Sequence, residues 1–417
     1  MLIDFTVSNF RSIKEPQTLS MLATSIKEHP ENVMDTPDPE IKLLKTAVIY
    51  GANGSGKSNL LKALEAFSNF VYYSNDIKLG EKIKYYEQFR LDSQNANLPT
   101  AFIIEFFGRD DIRYKYIVSI SNNEIETEAL YFYPRKQEAR LFYRLRGMPI
   151  VFGDGLLGAK KSIESKLLSN QLFLSKAANN NHEQLGNIYS NLWNLIHVFS
   201  PSPKNLLNFI TSHLKVNAIK GDENFRNKLS ALLSFADTGI EEVLTVKTDI
   251  PGNYEIKINH SEYINKIKAG TVSFSIEDES EGSQRLYAIG GQILLLLNRF
   301  HSSIFIDELN NSFHPLMTEM LIKMFYNKAT NPYNSQLIFT THDTSLLSSG
   351  LFRRDQIWFT EKDQYGATQL YSLSEFDKDK VRPDIPFDKW YLSGRFGALP
   401  LIKDFNFKDN ATAKKAK

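Results

Sequence analysis

The sequence contains no cysteine among its 417 residues. Disulfide bonds and cysteine-ligated metal sites are therefore excluded, and the composition fits a reducing compartment. The first residues lack a basic stretch followed by an apolar one, so we predict no signal peptide. The apolar run ILLLL, near the middle of the chain, is far shorter than the ~20 residues that cross a bilayer. We expect a cytoplasmic protein with no membrane partner.

An excess of charge of one sign is also missing, because 49 basic residues face 48 acidic ones. A strongly basic domain would favour nucleic acid as a partner, and this balance leaves DNA as a candidate ligand only through a local patch. The chain length predicts about two domains, or one large domain with an insertion.

Hydrophobic periodicity divides the chain into segments. Residues 100–146 consist of β-branched and aromatic runs separated by polar turns, which predicts an antiparallel meander. Residues 162–235 have helical periodicity, and two strands, a long helix after Glu281 and further strands follow. The predicted domains are an N-terminal lobe with the meander (1–150), a helical lobe insertion (151–270), a C-terminal lobe (271–402) and a disordered tail (403–417).

The clearest motif is the glycine loop GANGSGKS at residues 51–58, between a predicted strand and a predicted helix. Glycines let the backbone wrap closely around phosphates, and the helix directs its first amides at them. Lys57 would reach the β- and γ-phosphates, and the Ser58 hydroxyl would bind Mg²⁺. The predicted nucleotide-binding residues of this segment are Gly51, Asn53, Gly54, Ser55, Gly56, Lys57, Ser58 and Asn59.

A second motif is an apolar strand that ends in Asp307 and Glu308. Two carboxylates at the end of a buried strand are costly unless a metal or a water uses them. Asp307 suits the Mg²⁺ shell, and Glu308 can polarise an attacking water. The separation from the glycine loop, about 250 residues, argues against a small GTPase or a kinase.

Two further segments flank this strand. Ser280, Gly282, Ser283 and Gln284 open the long helix, where free amides and hydroxyls predict a second anion site. The alternative is an ordinary helix start with Ser280 as N-cap. His342 ends the next apolar strand, where a lone histidine is usually structural, but its position after the acidic strand suits a sensor of the γ-phosphate.

In this order and spacing, the four segments resemble the motifs of an ABC-type ATPase head. The stretch VSNFRSI at 7–13 resembles the openings of SMC, RecF and double-strand-break-repair heads. The stretch DELNNSFHP at 307–315 resembles their Walker B motif and D-loop, with His314 where transporters carry aspartate. The stretch YLSGRFGALP at 391–400 resembles the closing motif of stand-alone AAA-type ATPases from bacterial phage-defence and abortive-infection operons.

The resemblance implies an α/β fold: an ABC-ATPase head with a P-loop core sheet, an antiparallel β-subdomain and an inserted helical lobe. It implies ATP and Mg²⁺ as cofactors, Glu308 and His342 as catalytic residues, and Arg11 near the nucleotide. The implied metal ligands are Ser58, Asp307 and Gln88. The signature residues Ser280, Gly282, Ser283 and Gln284 would act on the partner's nucleotide, beside the D-loop residues Asn311, Ser312 and His314.

Such heads sandwich two ATP molecules, so one motif set per chain implies a twofold homodimer, with higher oligomers left open. The segment before the signature lacks the heptads of a long coiled coil. Only 75 residues follow His342, too few for a Toprim nuclease, and Asp377 and Asp379 are typical of a solvated turn. We therefore expect a dimeric ATPase without nuclease activity that controls a separate toxin or nuclease in anti-phage defence. The alternative is a RecF- or SMC-like DNA-binding ATPase of repair or recombination; a transporter subunit fits the meander poorly.

Overall fold

The computed structural model describes residues 1–199, 203–236, 239–250, 253–377 and 385–400. The strands are β1 (Leu2–Ser8), β2 (Gln17–Ser20), β3 (Val33–Asp35), β4 (Lys42–Leu44), β5 (Thr46–Gly51), β6 (Thr100–Phe107), β7 (Arg113–Ile120), β8 (Ile125–Tyr133), β9 (Ala139–Leu145), β10 (Val151–Phe152), β11 (Ile196–Phe199), β12 (Ile240–Lys247), β13 (Tyr254–Ile264), β14 (Ile267–Phe274), β15 (Ser303–Ile306), β16 (Gln336–Thr340), β17 (Ile357–Lys362) and β18 (Thr368–Ser372).

The helices are α1 (Lys57–Tyr73), α2 (Lys161–Glu164), α3 (Phe173–Asn179), α4 (Glu183–Leu195), α5 (Pro203–Ile219), α6 (Asn224–Phe235), α7 (Glu281–Arg285), α8 (Gly291–Leu297), α9 (Pro315–Tyr326), α10 (Ser345–Ser348) and α11 (Phe387–Leu392). The predicted tail and Asp379 lie outside the described residues. Within the described part of the chain, no helix has both the length and the apolar character required to cross a bilayer.

The core of the molecule is a six-stranded sheet in the order β11-β15-β16-β5-β17-β18. All neighbouring strands in it are parallel except β18, which is antiparallel to β17. Strands β5, β15 and β16 are buried along their whole length, as expected for parallel strands covered on both faces. Their carboxyl ends meet at one edge, where α/β sheets commonly bind ligands.

The predicted meander is confirmed as strands β6 to β9 of a seven-stranded sheet in the order β10-β9-β8-β7-β6-β1-β2. Its side chains alternate between buried and partly exposed, most clearly along β7. Helix α1 packs against it through Phe67, whose ring lies 6.0 Å from Phe5 and 5.8 Å from Phe102. The predicted fold class, a P-loop core sheet with an antiparallel β-subdomain and an inserted helical lobe, is confirmed.

Helices cover the other face of the core sheet. Val48, Tyr50 and Ile304 point into a second apolar core, which they share with residues of α5, α6, α8 and α9. A small sheet, β12-β13-β14, packs beside α6. The domain boundaries stay a prediction.

Two local expectations in this region were wrong. Residues 196–199 were expected to continue a helix, but α4 ends at Leu195 and the β-branched segment pairs with β15 as β11. Strand β14 was not predicted at all. Most of its side chains are exposed, so the strand needs no apolar face, and its sequence shows no regular alternation of apolar and polar residues that would predict a strand.

The long helix predicted after Glu281 forms, but it contains a π-helical segment, Leu286–Gly290, between α7 and α8. Two glycines at its end permit close helix packing. An added Cβ would lie 2.5 Å from Leu232 Cδ2 at Gly290, and 3.0 Å from Ile210 Cδ1 at Gly291. Helices α5 and α6 therefore lie directly against this segment.

Candidate nucleotide-binding and catalytic site

The glycine loop follows β5 and leads into α1, as predicted. A Cβ at Gly51 would meet the Thr360 carbonyl oxygen at 2.4 Å, and one at Gly56 would meet Thr368 Oγ1 at 2.1 Å. Gly54 has φ +77° and nothing within 4 Å of an added Cβ. Glycine is thus required at positions 51 and 56 because the loop packs closely against β17 and β18. It is required at position 54 because the backbone there is left-handed. The crest of the loop, with exposed Asn53, is open to a ligand.

Hydroxyl groups that the sequence analysis missed hold the loop from behind. Thr368 Oγ1 donates to the Ser55 carbonyl at 2.9 Å and lies 2.8 Å from Ser12 Oγ. The amide of Asn59, predicted as nucleotide-binding, donates to Ser12 Oγ at 2.7 Å. Ser55 Oγ lies 2.7 Å from Thr360 Oγ1. The side chains of Asn59 and Ser55 therefore support the loop in this structure.

Lys57 is buried, and its Nζ donates to the carbonyls of Gly51 at 2.7 Å and Ala52 at 3.1 Å. Burial lowers the Lys57 pKa to about 8, although Asp307 and Glu308 act in the opposite direction. Neutral carbonyls thus hold the ammonium at the loop, and the phosphate oxygens of a nucleotide can replace them as hydrogen-bond acceptors.

We expect ATP affinity to weaken as pH rises through 8. The free protein then loses the Lys57 proton, while bound phosphates require the ammonium form. Titration calorimetry between pH 7 and 9.5 should show Kd rising by up to about tenfold per pH unit above 8. In Lys57→Arg, which stays charged, any remaining binding should lose this dependence. A flat wild-type profile would contradict the assignment.

The acidic pair follows β15, at the same edge of the sheet. Thr340 Oγ1, from the neighbouring strand β16, donates to Asp307 Oδ1 at 2.7 Å and accepts from Glu308 N at 2.7 Å. Glu308 has φ 52°, a conformation uncommon for residues other than glycine. Thr340 therefore fixes the positions of both acidic residues. The sequence offers one signal for this role, which is a polar residue at the end of an otherwise apolar strand.

His342 lies beside this pair. Its Nε2 is 4.0 Å from Glu308 Oε1, and both side chains are partly exposed. Burial and the nearby Lys57 lower the His342 pKa, which favours a neutral imidazole at pH 7. A neutral ring can donate or accept a hydrogen bond, as contact with a γ-phosphate or its attacking water requires.

The oxygen donors near the loop fit Mg²⁺. Within the described ranges, no three His, Asp or Glu residues form a cluster that could enclose a metal. Mg²⁺ does not need one, because it keeps several waters and binds one or two carboxylates together with substrate phosphates. Ser58 and Asp307 would hold it, and it would neutralise phosphate charge. Gln88 instead lines a groove with Arg90 and Arg146, so its role as a ligand stays a prediction.

The signature residues organise the start of α7. Ser280 Oγ accepts from Ser283 N at 3.1 Å, and Gln284 Nε2 donates to the Glu279 carbonyl at 2.9 Å. Ser280 is therefore an N-cap, as the alternative interpretation expected, and action on a partner's nucleotide stays a prediction. A Cβ at Gly282 would lie 3.3 Å from the Ser312 carbonyl oxygen, which places the predicted D-loop against this helix.

The D-loop connects the signature to the acidic pair. Ser312 Oγ donates to Glu281 Oε1 at 3.2 Å, and Asn311 N donates to the Glu308 carbonyl at 3.0 Å. His314 is the N-cap of α9 and accepts from Leu316 N at 3.3 Å through Nδ1.

Arg285, which sequence reasoning missed, makes a second link to the acidic pair. This buried residue donates through Nη2 to the Glu308 carbonyl at 2.8 Å, and its guanidinium lies 5.8 Å from the Phe313 ring. The sequence offered one signal, an arginine directly after the signature glutamine.

Arg11 and the segment at 391–400, both singled out in the sequence, make contacts that stabilise the fold. Arg11 forms a bidentate ion pair with Glu87, at 2.8 and 3.1 Å, so its approach to a nucleotide stays a prediction. The segment at 391–400 packs on the strand that carries the P-loop, since the Tyr391 ring lies 5.7 Å from that of Tyr50. Phe396 is buried in the same aromatic group.

Residues 47–348 match the profile of a protein family described as "AAA domain, putative AbiEii toxin, Type IV TA system". The chain belongs to this family. The predicted relationship to AAA-type ATPases of abortive-infection systems is thereby confirmed, and the chain is an ATPase-type protein of a nucleotide-binding family. No curated protein matches the chain.

Solved structures provide further similarities to this AAA-domain protein, each at low identity. An SMC head bound to the C-winged helix domain of ScpA is 13% identical, with TM-score 0.47, over 91% of this chain and 99% of that one. The SMC head domain from Thermotoga maritima is 12% identical, with TM-score 0.40, over 89% and 98%. The recombination mediator RecF with ATP is 13% identical, with TM-score 0.35, over 82% and 93%.

Proposed function

We propose that this protein binds and hydrolyses ATP with Mg²⁺ at the carboxyl edge of the core sheet. The observation that carries the proposal is the convergence there of Lys57, Asp307, Glu308 and His342 from three adjacent parallel strands. Lys57 binds the phosphates, and Asp307 holds the metal shell with Ser58. Glu308 takes the proton of the attacking water, and His342 contacts the γ-phosphate.

We further infer that two chains share the reaction. Of the hydrogen bonds among the described residues, none joins the signature segment 280–284 to the P-loop segment 51–59. The inference rests on the resemblance to ABC-type heads, in which each signature closes over the partner's nucleotide, and one motif set per chain then gives a twofold dimer with two shared sites.

Mixing two inactive variants tests the sharing. Lys57→Ala removes the P-loop cation, and Ser283→Arg blocks the signature. In a one-to-one mixture half of the dimers are mixed, and one of the two sites in each is intact. We therefore expect ATPase activity of about one quarter of wild type. Ser283→Arg alone must still bind ATP, which shows that it folds. No recovery despite mixed dimers in native mass spectra would exclude shared sites.

We propose that the ATPase cycle controls a separate effector protein, a toxin or nuclease, in anti-phage defence. The family description names a putative AbiEii toxin and a type IV TA system, which supports a role in a system of this kind. The separate effector is the further part of the proposal. Such control requires two states of the dimer with different exposed surfaces, between which ATP shifts the population.

Purified protein should leave plasmid, single-stranded DNA and tRNA intact in the presence of Mg²⁺ or Mn²⁺ and ATP, because the proposed effector is a separate protein. Gel assays with Glu308→Gln as the matched sample check this. Cleavage by wild type that a point mutation abolishes would contradict it. ATP-dependent, salt-sensitive binding to DNA ends or gaps without an effector would favour the RecF-like alternative.

A further inference from the structure

An apolar groove of about 560 Å³ lies between α6 of the helical lobe and helices α8 and α9. Phe235 forms one wall and is 78% exposed, an unusual state for a large aromatic side chain. Leu294 contributes to the floor, and Met320 and Met324 form the opposite wall. Methionine side chains adapt to differently shaped ligands, which is a property of recognition surfaces.

The rims of the groove are basic. Lys228 lies on one side, where its Nζ donates to Asn298 Oδ1 at 3.1 Å, and Lys323 lies on the other, paired with Glu319 at 3.0 Å. No carboxylate is among the described residues that line the groove. Surface ion pairs such as Lys323–Glu319 are weak, and Asn298 is neutral, so both ammonium groups can exchange their partners for carboxylates of a ligand.

The groove also connects to the proposed catalytic region. Helix α8 continues the helix that begins at the signature, and α9 begins at the D-loop residue His314. Leu232, which lines the groove, packs on Gly290 of the intervening π segment. A molecule in the groove would therefore contact the helix that begins at the signature and the helix that begins at the D-loop. Both of these helix starts belong to the proposed dimer interface.

We propose that this groove binds a segment of the effector protein that carries apolar anchors flanked by acidic residues. The inference rests on the proposed function, because the groove would be the surface at which the effector binds and responds to the nucleotide state of the ATPase. An amphipathic helix laid into an apolar groove is a common recognition mode. A second copy would fit poorly, since a twofold contact through the same groove would set the basic rims against each other.

Two fluorescein-labelled peptides of 14 residues test the groove. Both carry leucines at alternating spacings of three and four, with glutamates at the remaining positions of one and lysines in the other. By fluorescence anisotropy, we expect the lysine peptide to bind at least about tenfold more weakly. Phe235→Ala and Lys323→Glu should each weaken binding of the glutamate peptide by at least about tenfold. The exposed controls Tyr365→Ala and Lys82→Glu should leave it unchanged.

Equal binding of the two peptides, or binding that survives Phe235→Ala, would overturn the proposal. Loss of a protein dimer in Phe235→Ala, measured by light scattering, would do so as well, because a second copy would then occupy the groove. ATPase activity of Phe235→Ala should equal that of wild type. Retained hydrolysis without peptide binding therefore refutes only this inference, whereas absent hydrolysis in wild type refutes the proposed function.

Discussion

Glu308→Gln should bind ATP and Mg²⁺ normally and hydrolyse ATP about 10²- to 10⁴-fold more slowly, the usual range for a lost general base. The amide keeps the size of the carboxylate and cannot take the proton of the attacking water. The backbone contacts of residue 308 with Thr340 Oγ1 and Arg285 Nη2 do not involve the changed group, so the fold should be unaffected. Steady-state phosphate release measures the effect.

The same variant should accumulate as a dimer with ATP, because the nucleotide that closes it is not consumed. Light scattering should show the mass rise from 47.8 kDa toward twice that value when ATP and Mg²⁺ are added. Glu255→Gln, which removes an exposed carboxylate on β13, serves as the matched control and should behave as wild type. Unchanged turnover in Glu308→Gln would remove this residue from the catalytic role.

The parts of the site that could be predicted from sequence are those fixed by short-range order. A buried strand, a glycine loop and a helix start stand next to each other in the chain at 46–58, and a buried strand ends directly at Asp307. Parallel strands place their carboxyl ends at one edge, so the proximity of these segments follows from the fold class.

Residues that act through tertiary contacts could not be predicted in the same way. Thr340 reaches the acidic pair only because β16 lies beside β15, and Thr368 reaches the P-loop only because β18 folds back on β17. Arg285 reaches from the signature helix to the Glu308 carbonyl, 23 residues further along the chain.

The two wrong expectations have physical causes of the same kind. Strand β11 joins the edge of the core sheet although the preceding residues are helical, because pairing with β15 decides its conformation. Strand β14 is stabilised by pairing with β13 and buries little of its own side chains. Local patterns therefore predicted the sheet edge that carries the candidate site better than the helical lobe, where long-range packing determines the elements.

Lys57→Ala should lose at least about 100-fold in ATP affinity, since a single charge-assisted hydrogen bond contributes roughly 1.5–3 kcal/mol and Lys57 would reach two phosphates. Among the described residues, its ammonium donates only to the Gly51 and Ala52 carbonyls, so the change removes the buried cation at the loop rather than a structural ion pair. Lys57→Met preserves the buried volume and should be equally defective, which separates loss of charge from loss of packing. Calorimetry with ATP and Mg²⁺, beside thermal melts that confirm folding, measures both variants. ATP binding by either folded variant at wild-type affinity would show that phosphate is not bound at this loop, and the proposed hydrolytic site would have to be abandoned.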